Sequence, residues 1–452
     1  MPDIAVTAEP PASSRTTADA IVPWLIALLY VAAEIWLFTL HEPWLDEAQA
    51  WLKAIEINDW RHFLVIPGEG HPPVWFWFAK LHSLALDFDQ ARMVMLGVAA
   101  LNAVLMARLL GDKPLLMIAF MGTLAVLHSW GFHFRPYPLV LTCLLGALLI
   151  DRRGHPIAAT WLLALACGLS FIAGWLLAFW LLILLRRGVS MPRLLLPSLL
   201  GAAFGASAIL SSLGNTDAGQ VASVPFGIFN ALAFPFSIPF VPPLINAIIA
   251  WAVLIAGLRR SPYILGCLLA LLLMLGIFGS QVYGLSEWHA AFGIMLALMA
   301  FLIARAPMWP LILLLVPQVY FGVEEAVFEL RLPSDAGMLM YEAVAADAGD
   351  RLDTERNLIA WPDHLLTSTA TQLGFHFVSG NNGDVVNDID WRSRRPRDIA
   401  TRMLQTMPGP YWLICTRCER PLAWINAAGR PVTIVRPLTV SMTYALTAYR
   451  ID

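Results

Sequence analysis

Apolar runs long enough to cross a membrane recur between residues 21 and 323 of this 452-residue chain. A helix crosses the hydrocarbon core with roughly 17 to 25 apolar residues, and the runs reach or approach that length. The chain is 58% hydrophobic and only 13% charged, which is too apolar for an ordinary soluble protein. The pattern predicts a polytopic α-helical membrane protein with about eleven transmembrane helices.

Composition divides the chain into three predicted regions. Residues 1–20, rich in Pro, Ala, Ser and Thr, are typical of a disordered cytoplasmic tail. Residues 21–323 form the membrane domain, in which 41–91 is a long first outer loop with interfacial helices. The predicted spans are 21–40, 92–110, 114–130, 136–150, 156–170, 171–185, 192–212, 242–258, 262–282, 288–305 and 308–323.

Residues 324–452 have the composition of a soluble domain. Residues 338–348 indicate a helix, residues 357–361 and 411–415 indicate strands, and regular structure is expected again at 440–451. We therefore expect a small C-terminal α/β or α+β domain on the extracytoplasmic side.

Arginines orient the predicted spans. The pairs at 152–153, 186–187 and 259–260 all fall on the side of the N-terminal tail, as the positive-inside rule requires of cytoplasmic loops. This threading requires segment 71–89 to lie along the outer surface, with Trp75 and Trp77 at headgroup level. The expected location is a bacterial cytoplasmic membrane, with the N-terminus cytoplasmic and the C-terminal domain periplasmic.

The net charge and the placement of the cysteines limit which macromolecules and metal ions the chain is expected to bind. The formal net charge is -3, which provides no basic field for nucleic acid. Cys415 and Cys418 form a single CxxC pair, for which a local disulfide or two free thiols fit better than zinc. The sequence 381–384 is typical of a turn, and Asp388 and Asp390 beside it are alternative calcium or sugar ligands.

Two adjacent carboxylates, Asp46 and Glu47, follow the first predicted span. A carboxylate in a partly dry niche can act as a general base, because desolvation raises its pKa toward working pH. The alternative is that Asp46 caps the helix that follows while Glu47 favours its first turn.

Further ionisable residues fall on the same outer side. Glu69 and His71 precede two prolines that end any local helix and lead the chain back to the interface. Glu287 and His289 lie at the start of a later span. Glu34, inside the first span, is either functional or a bridge to another helix.

Arg135 is the one basic residue of a short outer loop, where an unpaired charge near lipid would cost a few kcal/mol. It therefore needs an anionic partner. A lipid phosphate suits its planar guanidinium, and a carboxylate of the first outer loop is the alternative.

Three of these motifs, in this order, resemble the glycosyltransferase-C superfamily. They are Trp-Leu-Asp-Glu-Ala at 44–48, Gly-His-Pro-Pro at 70–73 and Arg-Pro-Tyr at 135–137. The similarity is closest to the branch of protein O-mannosyltransferases and the lipid A aminoarabinose transferase. Recognisable motifs carry the similarity over roughly residues 24 to 187. Over the later spans it rests on the architecture alone.

The resemblance implies a polyprenyl-phosphate sugar donor and assigns roles to the residues. Asp46 would be the base that activates the acceptor, with Glu47 positioning substrate. The remaining substrate-binding residues would be Glu69, His71, Arg135, Tyr137, Glu287 and His289, of which His71 and Arg135 would bind the donor phosphate.

Two departures from the family matter. His71 stands where some relatives carry Lys, so phosphate binding would depend on pH near neutrality. The Arg135 loop lacks the Asp of the aminoarabinose enzymes, which argues against their metal. We assign no metal ligand and no certain cofactor, and leave a divalent metal ion as an alternative.

The sequence thus predicts a membrane glycosyltransferase that moves a sugar to a lipid, glycan or protein acceptor on the outer face, in contact with membrane lipids. A lipid-linked sugar flippase or other transporter is one alternative, although transporters usually place ionisable residues near the midplane. A non-catalytic membrane subunit of envelope glycan assembly is another, with the carboxylates acting only as caps.

Overall fold

The structure is a computed structural model that describes residues 17–213, 223–281, 287–333, 335–387, 397–442 and 444–452. Within these ranges the chain forms a bundle of apolar helices followed by a mixed β-sheet domain. The bundle helices are α1 (Thr17–Leu40), α2 (Leu45–Ile55), α3 (Pro73–Ser83), α4 (Phe88–Leu110), α5 (Pro114–Met121), α6 (Tyr137–Arg152), α7 (Pro156–Leu169), α8 (Gly174–Arg186), α9 (Met191–Ser212), α10 (Val224–Ala233), α11 (Pro243–Leu258), α12 (Pro262–Gln281), α13 (Glu287–Ala304) and α14 (Trp309–Arg331).

Five bundle helices are long and apolar enough to cross a membrane, namely α1, α4, α9, α12 and α14. Shorter apolar helices of 10–17 residues lie among them. Many large apolar side chains of these helices remain exposed, as expected of surfaces solvated by lipid. The expectation of a multi-pass helical membrane protein is confirmed, and the number of eleven spans stays a prediction.

Predicted span 114–130 is interrupted. Helix α5 ends at Met121, and a short π-helical segment follows at Ala125–Ser129. The Thr123 hydroxyl donates to the Phe120 carbonyl and accepts from the Val126 N–H, and such local bonds compete with the helical ladder. The break lies directly before the loop that carries Arg135.

Helix α14 and helix α10 also differ from the predicted spans. Helix α14 continues to Arg331, beyond the predicted end at 323, and carries Glu329 into the site described below. Helix α10 lies between two predicted spans, in a stretch to which no span was assigned.

Helix α3 has 11 residues and a length of about 16 Å, which is too short to cross a bilayer. Trp77 is partly exposed, and its indole N–H donates to the Phe63 carbonyl at 2.7 Å. Trp75 is fully buried, with its ring centroid 5.0 Å from that of Phe134. The expected headgroup position of Trp75 is therefore wrong, because its indole packs into the protein core.

The C-terminal domain contains one six-stranded sheet in the order β3-β2-β1-β4-β6-β5. Its strands are β1 (Leu358–Trp361), β2 (Phe377–Ser379), β3 (Val385–Val386), β4 (Tyr411–Cys415), β5 (Val432–Val440) and β6 (Ala445–Ile451). Strand β1 runs parallel to β2 and β4, and the other pairs are antiparallel. Its helices are α15 (Gly337–Ala348), α16 (Thr354–Asn357), α17 (Thr367–Leu373), α18 (Arg397–Thr406) and α19 (Glu419–Ala427). The expected mixed domain is confirmed.

Two motifs of this domain have structural roles. Cys415 and Cys418 form a disulfide at the end of β4. In the turn at 381–384, Gly383 has a φ of 81°, and the Asn381 amide donates to Asp363. Asp388 and Asp390 lie outside the described residues.

The C-terminal domain docks on the segment between α1 and α4. Helix α17 packs against α2 and α4, and the Ser368 hydroxyl donates to the Pro43 carbonyl. The domain therefore supports the helix that carries Asp46 and Glu47.

Candidate functional site

Helix α2 begins directly after Pro43, with Trp44 as its N-cap. The Glu47 carboxylate accepts a hydrogen bond from the Trp44 N–H at 3.1 Å, and both acids lie in the first turn, where the helix dipole favours negative charge. Asp46 is the second residue of the helix and does not cap it. The capping alternative for Asp46 is wrong, because its side chain points instead to Arg135.

Arg135 and Asp46 form an ion pair between the loop before α6 and the start of α2. The Arg135 side chain is 8% exposed and that of Asp46 is 35% exposed. Burial opposes the charge of Arg135, but the Asp46 carboxylate outweighs it and raises the pKa of the guanidinium. Within the described residues, the buried Nε of Arg135 has no hydrogen-bond partner. Arg135 therefore has an anionic partner and a spare donor.

Three aromatic rings surround the Arg135 guanidinium. Its central carbon lies 5.6 Å from the ring centroids of Trp44 and Tyr137 and 5.7 Å from that of Trp288. Trp288 in turn stacks on Trp44 and Tyr137, at 5.8 and 5.7 Å between centroids. Cation–π attraction and packing therefore hold this cation in place independently of Asp46.

His71 borders the ion pair, with Nε2 at 3.5 Å from an Arg135 amino group. Burial lowers the pKa of His71 well below its usual value, and the charges of Arg135 and His289 lower it further. The imidazole is therefore neutral near pH 7. This shift does not favour a titration of His71 near neutrality, and the expected role of His71 in phosphate binding stays a prediction.

The other predicted substrate residues lie around this centre. Tyr137 contacts His289 through its hydroxyl, 3.3 Å from Nε2. Glu69 is buried and accepts a hydrogen bond from Gln49 at 3.3 Å, and burial raises its pKa to about 7. Glu287 is the first residue of α13, and its side chain lies outside the described residues.

Glu47 points away from Asp46 into a fully buried cluster. One carboxylate oxygen lies 2.8 Å from Nε2 of His41 and the other accepts the Phe134 N–H at 2.6 Å. His133 Nδ1 lies 3.8 Å from Glu47 Oε2. His41 Nδ1 contacts Glu329 of α14 at 3.0 Å. This cluster ties the end of α1, the start of α2, the Arg135 loop and α14 together.

Electrostatics within the cluster favour an imidazolium–carboxylate pair. Burial opposes the charge of His41, but Glu47 and Glu329 outweigh it and raise its pKa to about 9. Burial also opposes the charge of Glu47, but His41 and His133 lower its pKa well below the usual value. Glu47 is therefore a buried anion whose contacts are internal.

In the described part of the chain, one group of residues has donor atoms close enough together to bind a metal ion. The donor atoms of His41, Glu47 and His133 lie within 4.8 Å of one another. Neither Asp46 nor Glu69 belongs to this group. Among the acids with described side chains that were expected to act on substrate, Glu47 alone belongs to it.

A cavity of about 350 Å³ lies beside this site, between the membrane domain and α17. Its lining includes Glu42, Arg92, Asp335 and Ser368. Burial raises the pKa of Asp335 to about 7. The cavity adjoins His41 and does not include Asp46 or Arg135 in its lining.

No family model matches the chain, and no curated protein matches it in sequence. The structure is similar to the crystal structure of ArnT from Cupriavidus metallidurans bound to undecaprenyl phosphate, with a TM-score of 0.52 and 16% identity. The match covers 94% of this chain and 98% of that chain. The chain therefore has the fold of this ArnT structure.

A cryo-EM structure of the arabinosyltransferase EmbB from Mycobacterium smegmatis also matches, with a TM-score of 0.34 and 12% identity. That match covers 83% of this chain and 45% of the EmbB chain. We draw no argument from this weaker overlap.

Within this fold, the structure brings Asp46, His71, Arg135 and Tyr137 together, with His289 beside them. The roles assigned to these residues stay predictions. Sequence reasoning missed the aromatic partners Trp44 and Trp288 and the buried cluster of His41, His128, His133 and Glu329. His128 and His133 both closely precede the Arg135 motif, and this clustering of histidines is the signal that the sequence offers.

Proposed function

We propose that the chain is a membrane glycosyltransferase that moves a sugar from a polyprenyl-phosphate-linked donor to a lipid, glycan or protein acceptor on the non-cytoplasmic side. The fold supports this proposal, since the similar ArnT structure holds undecaprenyl phosphate. The observation that carries it is the contact between Asp46 and Arg135, in which a part-exposed acid meets a buried, aromatic-flanked cation.

Arg135 fits the donor phosphate for three reasons. Its charge is permanent, its planar guanidinium matches phosphate oxygens, and its Nε is unused within the described residues. The rings of Trp44, Tyr137 and Trp288 keep the guanidinium in position. A phosphate that binds Arg135 would compete with Asp46 for it and so free the carboxylate.

Asp46 fits the role of base better than Glu47 does. Glu47 is fully buried and bound by His41 and the Phe134 N–H, whereas 35% of the Asp46 side chain is exposed. In the proposed reaction the acceptor hydroxyl loses its proton to Asp46 and bonds to the sugar anomeric carbon. The bond from that carbon to the phosphate oxygen breaks, and Arg135 stabilises the negative charge of the departing lipid phosphate.

The deciding experiment measures sugar transfer from synthetic polyprenyl-phosphate sugars by the purified full-length protein. Asp46→Asn should lower the rate by about 10²- to 10⁴-fold, which is the usual contribution of a general base. Glu56→Gln is the matched control, because it neutralises an exposed carboxylate at the other end of the same helix. It should leave the rate within about twofold of the parent, as expected of a surface position.

Three results would contradict the proposal. The first is full activity in a folded Asp46→Asn variant. The second is movement of the lipid-linked sugar across sealed vesicles without cleavage of the sugar–phosphate bond, which would indicate a transporter. The third is stable copurification with other envelope proteins together with no effect of Asp46→Asn, which would indicate a non-catalytic subunit.

A further inference from the structure

We infer that His41, Glu47 and His133 form a zinc site that joins the two segments presenting Asp46 and Arg135. The three side chains lie one layer behind that ion pair and are fully buried. The inference concerns the protein's own architecture and holds whatever reaction the outer site performs.

The distances among the donor atoms suit a small divalent ion. His41 Nε2 and His133 Nδ1 lie 2.8 and 3.8 Å from the same oxygen, Oε2 of Glu47. Zinc binds imidazole nitrogen and carboxylate oxygen at about 2.0 to 2.2 Å, which separates tetrahedral ligand atoms by roughly 3.3 Å. The donor atoms of the three residues all lie within 4.8 Å of one another, so they would close on a bound ion.

The imidazole of His133 gives evidence for a bound ion that is independent of the donor distances. Its side chain is 1% exposed, and neither ring nitrogen has a hydrogen-bond partner within the described residues. The 3.8 Å separation from Glu47 is too long for a direct hydrogen bond. Leaving a buried polar group unsatisfied costs about 1 to 3 kcal/mol in general, so this imidazole is expected to bind something. A metal ion on Nδ1 would satisfy it.

The groups around the three ligands have the arrangement found around metal-bound histidines. A ligating imidazole usually donates its second N–H to a carboxylate, and His41 Nδ1 lies 3.0 Å from Glu329. The second oxygen of Glu47 accepts the Phe134 N–H, which fixes the rotation of that carboxylate. Glu329 is itself held by His128 at 3.1 Å.

The donor set identifies the class of ion. Two imidazoles and one carboxylate favour zinc over magnesium or calcium, which prefer oxygen ligands. With the ion bound, His41 would be neutral, and the divalent charge would replace its imidazolium in balancing the two buried carboxylates, Glu47 and Glu329. Such an ion would connect the end of α1, the first turn of α2 and the loop before α6.

The test is metal analysis of full-length protein purified through a tag without histidine. The parent should contain about one zinc ion per chain, as a site with three protein ligands predicts. His133→Ala should lose it. His155→Ala is the matched control, because His155 is exposed in the connection between α6 and α7 and should retain the ion.

A second variant covers the case in which His133→Ala does not fold. His133→Cys replaces one zinc ligand by another, so X-ray absorption should gain a sulfur neighbour at about 2.3 Å that the parent lacks. Chelation of the parent should lower its thermal midpoint, and zinc should restore it. The inference is overturned by parent protein that neither contains zinc nor shifts its midpoint when zinc is added. Full zinc content in folded His133→Ala would overturn it equally.

Discussion

Asp46 and Glu47 are adjacent in the chain but differ in exposure and in the groups that they contact. Successive side chains of a helix point about 100° apart, so the Asp46 side chain is partly exposed while that of Glu47 faces the core. Asp46 contacts Arg135, whereas Glu47 contacts His41 and the backbone of the loop that carries Arg135. The two acids therefore lie in separate environments, and Glu47 ties the start of α2 to the loop that carries Arg135.

The buried carboxyl group of Glu69 predicts how the free energy of unfolding depends on pH. Burial raises its pKa from the usual 4.5 to about 7, so between these values it is protonated in the folded protein and ionised in the unfolded chain. Its contribution to stability is present below about pH 4.5 and is lost as pH rises through about 7. The loss should amount to roughly 3 kcal/mol of the free energy of unfolding.

The free energy of unfolding is measured in detergent at about pH 5 and pH 8, for the parent and for Glu69→Gln. The amide keeps an acceptor for Gln49 and does not titrate, so the variant should lose less stability than the parent over this range. Glu56→Gln, at an exposed carboxylate, should follow the parent. Parallel profiles for all three proteins would show that burial of Glu69 does not control this pH response.

Among the elements, α14 approaches the end of α5 so closely that there is no room for a side chain between them. A Cβ on Gly322 would lie 2.3 Å from the Gly122 carbonyl oxygen. The same helix carries Glu329 to His41 and His128. Displacing α14 would therefore loosen the buried cluster as well as the bundle.

Gly322→Ala should accordingly lower the free energy of unfolding by about 1 to 3 kcal/mol, the usual cost of overpacking. The control is Gly97→Ala in α4, where nothing lies within 4 Å of the added Cβ. Because alanine is the better helix former, that variant should be as stable as the parent or more so. Thermal unfolding of both variants in the same detergent decides the matter, and equal midpoints would mean that α14 shifts at no cost.

At the scale of the whole molecule, the proposed orientation can be tested by cysteine labelling. The three free cysteines are buried, and Cys415 and Cys418 are joined in a disulfide. Asp350→Cys lies at an exposed position of the C-terminal domain, and Arg153→Cys lies at an exposed position of a predicted cytoplasmic loop.

In intact cells, a membrane-impermeant maleimide should label Asp350→Cys and spare Arg153→Cys until the membrane is opened. The physical reason is the positive-inside rule, which keeps the arginine-rich loops cytoplasmic. The parent chain serves as the control for background labelling. The reverse pattern would place Asp46 and Arg135 on the cytoplasmic side and exclude an outward-facing site.

The sequence by itself determined the features that depend on local composition. Apolar runs determined the helical membrane domain, and strand and helix patterns determined the mixed C-terminal domain, because each segment carries its own preference for lipid, core or water. Counting arginines also grouped Asp46, His71 and Arg135 on one side, and the structure brings these three residues into one cluster.

Only the tertiary structure decided which groups touch. It separated Glu47 from Asp46, buried Trp75 and extended α14 so that Glu329 meets His41. It also placed Trp288 over an arginine far away in the chain. Contacts between distant segments depend on how helices pack and where they end, and those properties arise from the whole bundle and not from any one segment.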